Sequence, residues 1–469
     1  MPTFALSPKP VKPVKSAYRV IKSPAIPVPE SVALLDSLRK NEPLSMTGQP
    51  AILWESAQGC LVRDRWGNQW LDWSSGVLVA NSGHGRKEIS DAIVKQAQSP
   101  LLHNYCFPNQ SRADLVNFLS ELAPAPLKKV FLLTTGAETT ECAIKLCKTH
   151  GVKVGGKKKD VMVSFQHAFH GRTLASQLAG GIPSLKEWIT RENPDFVQVP
   201  FPGDWRLKPE QRTFEAFEAA LKAKGHGPEN IAGVIVETYQ GGSVAFLPVE
   251  FAKKLREWTT KHQVVLVFDE VQAGFGRCGT MFGFEEYGVV PDLACFGKGL
   301  SSSLPISALL GKAELMDLYG PGAMTSTHSG NPVCSAAALA NLKLIVGEKL
   351  AQNAAERGKE LLAGLEKIVA KHKDVVGALK AKGLVAGVHI IKKGSTDPDG
   401  DLAFRIVERA VEKGLLMFGP VGFGGATVKI CPPLVITKEQ LADGLVALGE
   451  AFDEIVAEVA AQVPASVAK

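Results

Sequence analysis

Residues 264–270 read VVLVFDE, and residues 293–299 read LACFGKG. In each stretch a short apolar run is followed by a charged residue, Asp269 in the first and Lys298 in the second. Continuous apolar runs of this length are typical of strands buried on both faces, as in a parallel sheet covered by helices. Because ligands of such sheets bind beyond the carboxyl ends of the strands, we expect Asp269 and Lys298 to face one crevice.

Similar runs continue on both sides of these two and alternate with helical patterns between about residues 112 and 330. This alternation predicts an α/β domain with a mostly parallel sheet. The predicted elements are strands at 129–134, 160–165, 231–237, 264–269, 293–296 and 306–310, with helices at 138–149 and 249–262.

The flanking regions predict smaller structures. Residues 54–73 alternate apolar and polar residues between glycines, which predicts a small antiparallel sheet, and a helix is predicted at 87–98. The region from 333 onward has helical patterns to about 371, the run LVAGVHII, and helices at 401–413 and from 438. It predicts a smaller α+β domain. The expected organisation is therefore an arm (1–45), a small-domain segment with a linking helix (46–111), a large domain (112–332) and a C-terminal small domain (333–469).

The composition is that of a folded protein and excludes several classes. The 469 residues are 45% apolar and 21% charged, with a formal charge of +6, so neither general disorder nor nucleic-acid binding is expected. No apolar stretch is long enough to span a membrane. The eight cysteines are scattered without any C-x-x-C pair, which is typical of reduced thiols. We expect a cytoplasmic protein, with the Lys- and Pro-rich arm extended over a surface or a partner subunit.

A further strand leads into TTGAETTE (134–141), the start of a predicted helix. The free N–H groups at a helix start, beside a residue without a side chain at Gly136, suit a phosphate. The same residues also fit a plain helix cap, with Thr135 as the capping residue. On this evidence alone both interpretations stay open.

The segment HAFHGRT (167–173) places an aromatic ring, an imidazole and a guanidinium on one loop, at Phe169, His170 and Arg172. We do not expect His167 and His170 to bind a metal, because no third ligand is evident. The motif GFGRCG (274–279) has the spacing of a dinucleotide-binding loop, but no helix follows it, so that function is not expected.

Taken together, VFDEVQAGFGR (267–277), FGKG (296–299), TTGAE (134–138) and FHGRT (169–173) resemble the class III aminotransferases, enzymes of fold type I that depend on pyridoxal 5′-phosphate (PLP). The resemblance extends from GNQWLDWSSGVLVANSGHG (67–85) through THSGNP (327–332) to KICPPLVIT (429–437). It implies a large domain with a seven-stranded, mostly parallel sheet and a smaller α+β domain.

The resemblance also implies roles for the cofactor site. Lys298 would form the Schiff base with PLP and carry the proton between Cα and C4′, while Asp269 would pair with the pyridinium nitrogen. Phe169 and Val271 would lie on the two faces of the ring. The remaining implied contacts are to the phenolic oxygen, from Gln272, and to the phosphate, from Thr135, Gly136, Ala137 and Thr327, the last from the second subunit of a homodimer.

On the substrate side this chain departs from the family. Lys429 stands where the 4-aminobutyrate and ornithine branches have an arginine for the 2-oxoglutarate carboxylate, and Gly242 stands where a glutamate covers that arginine. Lysine attracts a carboxylate without the bidentate fork of arginine. Arg172, in contrast, matches the residue that holds the distal carboxylate of 4-aminobutyrate, and Val77 matches an aliphatic residue of that branch.

The leading prediction is an aminotransferase that moves the terminal amine of an ω-amino acid or small amine to 2-oxoglutarate or pyruvate. The alternative is an amino-acid racemase or epimerase on the same scaffold, which would have no need of the missing Glu–Arg pair. A non-catalytic scaffold is disfavoured because every cofactor-holding position has a suitable residue. Glu237 is expected either at the substrate pocket or as a buried partner of a loop backbone.

Overall fold

The computed structural model describes residues 2–191 and 193–462. The chain divides into two compact units, one made of Met1–Arg86 with Gln352–Lys469 and the other of Lys87–Ala351. We call them the discontinuous unit and the continuous unit. The domain limits predicted at 45, 111 and 332 remain predictions of the sequence.

The N-terminal part of the discontinuous unit contains short strands, one helix and a single helical turn. Strands β5, β6 and β7 pair antiparallel in the meander predicted for residues 54–73. Strands β2 and β3 extend the same sheet in the order β2-β3-β7-β6-β5. The elements are β1 (Lys9–Pro10), β2 (Val14–Lys15), β3 (Val20–Ile21), β4 (Ala25–Ile26), α1 (Val32–Asn41), β5 (Ser56–Gln58), β6 (Leu61–Arg63), β7 (Gln69–Asp72) and the single turn α2 (Ser75–Leu78).

The expected arm is therefore built into this unit, and it contains a helix, α1, that the sequence reasoning did not predict. Arg19 is its main polar anchor. Its guanidinium donates to both carboxylate oxygens of Asp443, at 2.8 and 3.0 Å, and to the carbonyl of Lys413 at 2.8 Å. Ile21 is buried and packs with Val62 and other apolar residues. The arm thus joins a sheet and a core instead of only covering a surface.

The turn α2 is left-handed. All four residues of Ser75–Leu78 have positive φ, between 51° and 64°. Such a conformation costs about 1–2 kcal/mol for each residue with a side chain, so neighbouring contacts must hold it. The Ser75 hydroxyl donates to the carbonyl of Cys431 at 2.6 Å, and the buried carboxylate of Asp72 accepts from the amide of Ser74 at 2.7 Å. The turn leaves the side chain of Val77 43% exposed.

The continuous unit is the α/β domain. Its elements are α3 (Lys87–Gln98), α4 (Gln110–Leu122), β8 (Lys129–Leu133), α5 (Gly136–Gly155), β9 (Val161–Phe165), α6 (Leu174–Ala179), β10 (Phe196–Val199), α7 (Phe214–Ala223), β11 (Ile231–Glu237), α8 (Val249–Lys261), β12 (Val265–Asp269), β13 (Leu293–Phe296), β14 (Ser307–Gly311), α9 (Ala313–Met316) and α10 (Pro332–Gly347).

Its seven strands lie in the order β10-β9-β11-β12-β13-β14-β8. Only β14 runs antiparallel to its neighbours, so the prediction of a mostly parallel seven-stranded sheet is confirmed. Strands β11, β12 and β13 are buried along their whole length, as their continuous apolar runs predicted. Strand β10 was not among the predicted strands, because at the sheet edge its residues alternate between buried and half-buried.

The C-terminal part of the discontinuous unit contains the antiparallel sheet β15-β16-β18 and long helices, as the predicted α+β pattern requires. No helix among the described residues is long and apolar enough to cross a membrane. All eight cysteines are free, as predicted. The elements are α11 (Leu350–Lys371), β15 (Val376–Lys382), β16 (Val385–Ile390), α12 (Gly400–Glu412), β17 (Leu415–Leu416), β18 (Thr427–Ile430) and α13 (Lys438–Gln462).

Candidate active site

Three neighbouring strands of the continuous unit bring charged side chains to one edge of the sheet. Glu237 ends β11 and is in register with Asp269, which ends β12. Asp269 is in turn in register with Cys295 of β13, and Lys298 follows two residues beyond the end of β13. The charged pair expected from the sequence, Asp269 and Lys298, therefore lies at adjacent strand ends, with Glu237 beside it.

Asp269 is held by a buried histidine. Its Oδ2 lies 2.8 Å from Nδ1 of His170, and its Oδ1 accepts from the amide of Val271 at 3.1 Å. Burial alone lowers the pKa of His170, but the hydrogen bond and the charge of Asp269, with the charge of Glu237, outweigh it and raise that pKa. The other ring nitrogen of His170, Nε2, is buried and has no hydrogen-bond partner among the described residues. The contact fixes the orientation of the Asp269 carboxylate.

Lys298 is in an environment that favours its neutral amine. Burial lowers the pKa of Lys298, and the negative charges of Asp269 and Glu237 oppose that shift only in part. A deprotonated amine is the form that acts as a nucleophile or a base. The backbone at Lys298 is left-handed, with φ of 40°.

Glu237 connects two loops at this edge. Its Oε2 accepts from the amide of Phe169 at 3.0 Å, and its Oε1 accepts from the amide of Gly241 at 2.8 Å. Burial raises the pKa of Glu237 to about 7. Of the two expectations for this residue, its contacts are those of a buried partner of loop backbone.

Helix α5 begins next to these strand ends, and Thr135 caps it. The Thr135 hydroxyl accepts from the amide of Glu138 at 3.3 Å, and the Glu138 carboxylate accepts from the amides of Thr134 and Thr135. The amides of Gly136 and Ala137 have no acceptor within the described part of the chain. The interpretation of Thr135 as a helix cap is therefore confirmed, and the phosphate site at the two open amides stays a prediction.

Glycines bring the helix start close to the lysine turn. A Cβ on Gly136 would lie 2.9 Å from Cγ1 of Val271. A Cβ on Gly297, the residue before Lys298, would lie 3.4 Å from the same atom and 3.6 Å from Cα of Gly136. The open amides and the lysine thus share one small region around Val271.

The aromatic and guanidinium groups of the HAFHGRT loop also lie at this edge. The Arg172 side chain is exposed, and its guanidinium carbon lies 5.7 Å from the centre of the Phe169 ring. The side chain of Gln272 packs against the loop that contains Gly242. A Cβ on Gly241 would lie only 2.2 Å from Nε2 of Gln272.

Three predicted residues belong to other segments of the chain. Thr327 is an exposed residue of the continuous unit, near Thr325, which bonds to the hydroxyl of Tyr105 at 2.8 Å. Val77 and Lys429 belong to the discontinuous unit, Val77 on the left-handed turn and Lys429 in β18, opposite Gly387 of β16. Lys429 is 2% exposed.

His170 stands in the HAFHGRT motif, but the motif does not indicate its contact with Asp269. No sequence spacing indicates it, since the two residues are 99 positions apart. The described residues contain no cluster of side chains suited to a metal ion, and none was predicted.

Comparisons with known proteins give a consistent result. The family model of the class-III aminotransferases matches residues 45–452. An acetylornithine aminotransferase of Gloeobacter violaceus is 32% identical over 88% of this chain and 96% of its own length. A 5-aminovalerate aminotransferase of Pseudomonas aeruginosa is 33% identical (86% and 93%), and a 4-aminobutyrate aminotransferase of Escherichia coli is 31% identical (85% and 93%).

The similarity extends to solved structures. The crystal structure of a transaminase from the marine bacterium Virgibacillus matches with a TM-score of 0.82 at 26% identity. The match covers 91% of this chain and 100% of that one.

Proposed function

Since the chain belongs to the class III aminotransferases, we propose that it transfers the terminal amino group of an ω-amino acid or small amine to a keto acid. Members of this family have fold type I and depend on PLP, and this chain is a PLP-dependent aminotransferase. The observation that carries the proposal is the placement of Asp269 and Lys298 at adjacent strand ends, beside the open amides of helix α5.

The residues at the sheet edge fit the cofactor. The amides of Gly136 and Ala137, with the Thr135 hydroxyl, suit its phosphate, because a helix start carries partial positive charge. The carboxylate of Asp269, oriented by His170, suits a protonated ring nitrogen. When bound, the cofactor supplies an electron-withdrawing ring that stabilises negative charge at the substrate Cα.

The other groups of the site receive roles in this proposal. Lys298 would hold the cofactor covalently before substrate binds, and once the substrate amine has displaced it, its free Nζ would move a proton at the substrate Cα, for which its lowered pKa is suited. Phe169 and Val271 cover the two faces of the ring, and Gln272 donates to its phenolic oxygen. Glu237 fixes the backbone amide of Phe169 and so the position of that ring.

We further propose a homodimer in which Thr327 contributes to the phosphate site of the second copy. The exposure of Thr327 in the single chain supports this arrangement. Tyr105 and Phe107, on a segment whose Tyr105 bonds to Thr325, are also exposed, Phe107 to 72%. Exposed aromatic residues are common where a second subunit binds. We propose a cytoplasmic location.

For the donor, the proposal is 4-aminobutyrate or a homologue with a carboxylate far from the reacting amine. Arg172 is an exposed cation beside Phe169, placed to bind that distal carboxylate. The family resemblance alone assigns Val77 to the donor side. The names of two relatives, a 4-aminobutyrate and a 5-aminovalerate aminotransferase, support this substrate class.

For the acceptor, one proposal is 2-oxoglutarate, whose carboxylate Lys429 would attract. The other is pyruvate, which would depend less on a cation at that position. Gly242 leaves no carboxylate side chain to cover that cation while the donor binds. The racemase alternative gains no support, because the family model, the relatives and the solved structure all belong to transaminases.

The test is a half-reaction followed by the absorbance of the bound cofactor. Purified holoenzyme is mixed with 4-aminobutyrate alone, and the product form is then mixed with 2-oxoglutarate or with pyruvate in separate samples. We expect the donor to change the spectrum and one keto acid to restore it, while a Lys298→Ala control shows no such cycle. If a panel of ω-amines leaves the spectrum unchanged while an L-amino acid racemises without keto acid, the proposal is wrong.

A further inference from the structure

We propose that Asn341, in helix α10, is a positioning residue that fixes the backbone turn behind Lys298 and thereby the place and the proton affinity of its amine. The inference rests on the proposed role of Lys298 as the cofactor-binding residue. Asn341 lies 43 positions away in the sequence and has no part in the roles assigned above.

The turn at residues 297–302 has an unfavourable backbone. Lys298 has φ of 40° and Ser302 has φ of 54°, both in the left-handed region that residues with side chains avoid. Within the turn, the amide of Leu300 donates to the carbonyl of Gly297 at 2.9 Å, while the bond from the amide of Ser301 to the carbonyl of Lys298 is longer, 3.4 Å. Side-chain bonds add to these contacts, from the Ser301 hydroxyl to the carbonyl of Leu304 and from the amide of Ser303 to the Ser301 hydroxyl.

The two ends of the turn are secured differently. Strand β13 and the tight packing of Gly297 against Gly136 and Val271 hold the end before Lys298. At the end after Lys298, helix α10 contributes the side chain of Asn341. Its side-chain Nδ2 donates to the carbonyl of Gly299 at 2.8 Å and to that of Leu300 at 2.9 Å.

The burial of Asn341 shows that this contact is specific. Asn341 is 0% exposed, and its Oδ1 has no hydrogen-bond partner among the described residues. A buried polar side chain with one unpaired atom is unfavourable on the buried face of a helix. Both hydrogens of its NH2 group, however, bond to the lysine turn, which an apolar residue could not do.

The consequence for Lys298 follows from electrostatics. Burial lowers the pKa of its amine, and the charges of Asp269 and Glu237 oppose the shift, so a change in their separation changes that pKa. Without Asn341 two buried carbonyls lose their donor and the left-handed backbone can relax. The amine then moves relative to the two carboxylates and to the reacting atoms.

The experiment compares Asn341→Ala with Ser335→Ala in the holoenzyme. Ser335 is a matched control on the same helix, because it is also 0% exposed and its hydroxyl has no partner among the described residues. The first readout is the pH midpoint of the absorbance change of the lysine-bound cofactor, which reports the proton affinity of the Lys298 nitrogen in its bond to the cofactor and not that of the free amine, but depends on the same separation from Asp269 and Glu237. The second is kcat and KM with 4-aminobutyrate, and the third is the Tm of the cofactor-free chain.

For Asn341→Ala we expect the pH midpoint to move by about one unit and kcat to fall roughly 10- to 100-fold, as misplaced reacting groups do, with little change in KM. Ser335→Ala should have the same pH midpoint and the same kcat as the wild type. If Asn341→Ala lowers Tm but leaves the midpoint and kcat like those of Ser335→Ala, its role is only structural and the inference is wrong.

Two further variants keep the test decisive. Asn341→Asp has nearly the same shape but presents oxygens to the two carbonyls, and we expect it to move the midpoint at least as far as Asn341→Ala. Asn341→Thr can still donate one hydrogen bond, so its pH midpoint and kcat should lie between those of Asn341→Ala and the wild type. It replaces Asn341→Ala if that variant does not fold. If the wild type itself does not transaminate, the proposed function fails, whereas the midpoints of the variants still test the inference.

Discussion

Substitution of Gly136 by alanine tests the tight packing between the helix start and the cofactor region. A methyl group at this position would lie 2.9 and 3.1 Å from the two methyl carbons of Val271, whereas favourable carbon contacts are about 3.5–4.0 Å. Val271 must therefore move by roughly half an ångström or more. In the cofactor-free chain it can turn toward the space that the ring occupies, but in the holoenzyme the proposed contact with the ring prevents that movement.

The steric overlap between the new methyl group at position 136 and Val271 should therefore weaken cofactor binding more than it weakens folding. Overpacking of a close-packed site costs about 1–3 kcal/mol. If that cost falls on the bound state, the Kd for PLP rises about 5- to 150-fold. The Tm of the cofactor-free chain should change little.

The assay is a titration of the cofactor-free chain with PLP, followed by absorbance, for Gly136→Ala, Val271→Ala and the double variant. In the Val271→Ala background, where the colliding methyl groups are gone, Gly136→Ala should have little further effect, which corresponds to a coupling energy of about 1 kcal/mol or more. The reasoning is refuted if Gly136→Ala binds PLP like the wild type, or if its loss of affinity is equal in both backgrounds.

Three other predictions test the electrostatics of the site. Asp269→Asn removes the charge proposed to face the ring nitrogen and should lower kcat roughly 100-fold or more in steady-state assays. His170→Ala should lower kcat less. Equal kcat values for Asp269→Asn and the wild type would contradict the role of Asp269. Glu270, the buried residue after Asp269, accepts from the amide of Gly283. Burial raises the pKa of Glu237 and of Glu270 from 4.5 to about 7, so the stability linked to their protonation is present below pH 4.5 and is lost as the pH rises through 7, by at most about 3 kcal/mol for each. Urea unfolding of the cofactor-free chain between pH 5 and 8 should show this loss, and Glu270→Gln should reduce the slope; an unchanged slope would count against it. Arg172→Gln should raise KM for 4-aminobutyrate about 10-fold or more but leave a primary amine without a carboxylate unaffected, and equal effects on both donors would rule out a carboxylate contact.

The central strands and the ends that carry Asp269 and Lys298 could be predicted from the sequence because burial on both faces produces continuous apolar runs. Helix α3 has the predicted bounds, 87–98, for a related reason: its apolar residues recur at helical spacing. Strand β10 lacks a continuous run, and the pairing of β2 and β3 depends on partners in β7 far along the chain. Local patterns do not encode such pairing.

Within the site, the charged residues at the strand ends could be predicted from the sequence, but contacts between distant positions could not. The bond between His170 and Asp269 and the bonds from Asn341 to the lysine turn each join loops or helices that only the fold brings together. The left-handed turn at Ser75–Leu78 was likewise unpredictable, since only one of its four residues is a glycine. Its backbone is imposed by contacts such as the bond from Ser75 to Cys431.

The division of the chain into a continuous and a discontinuous unit has a consequence for its biosynthesis. Residues 87–351 can complete their contacts while later residues are still on the ribosome, because domains generally fold as units in the order of their synthesis. Arg19, in contrast, is made early but pairs with Asp443, 424 positions later. The segment around Arg19 therefore reaches its native contacts only after residue 443 has been made, later than residues 87–351 can complete theirs.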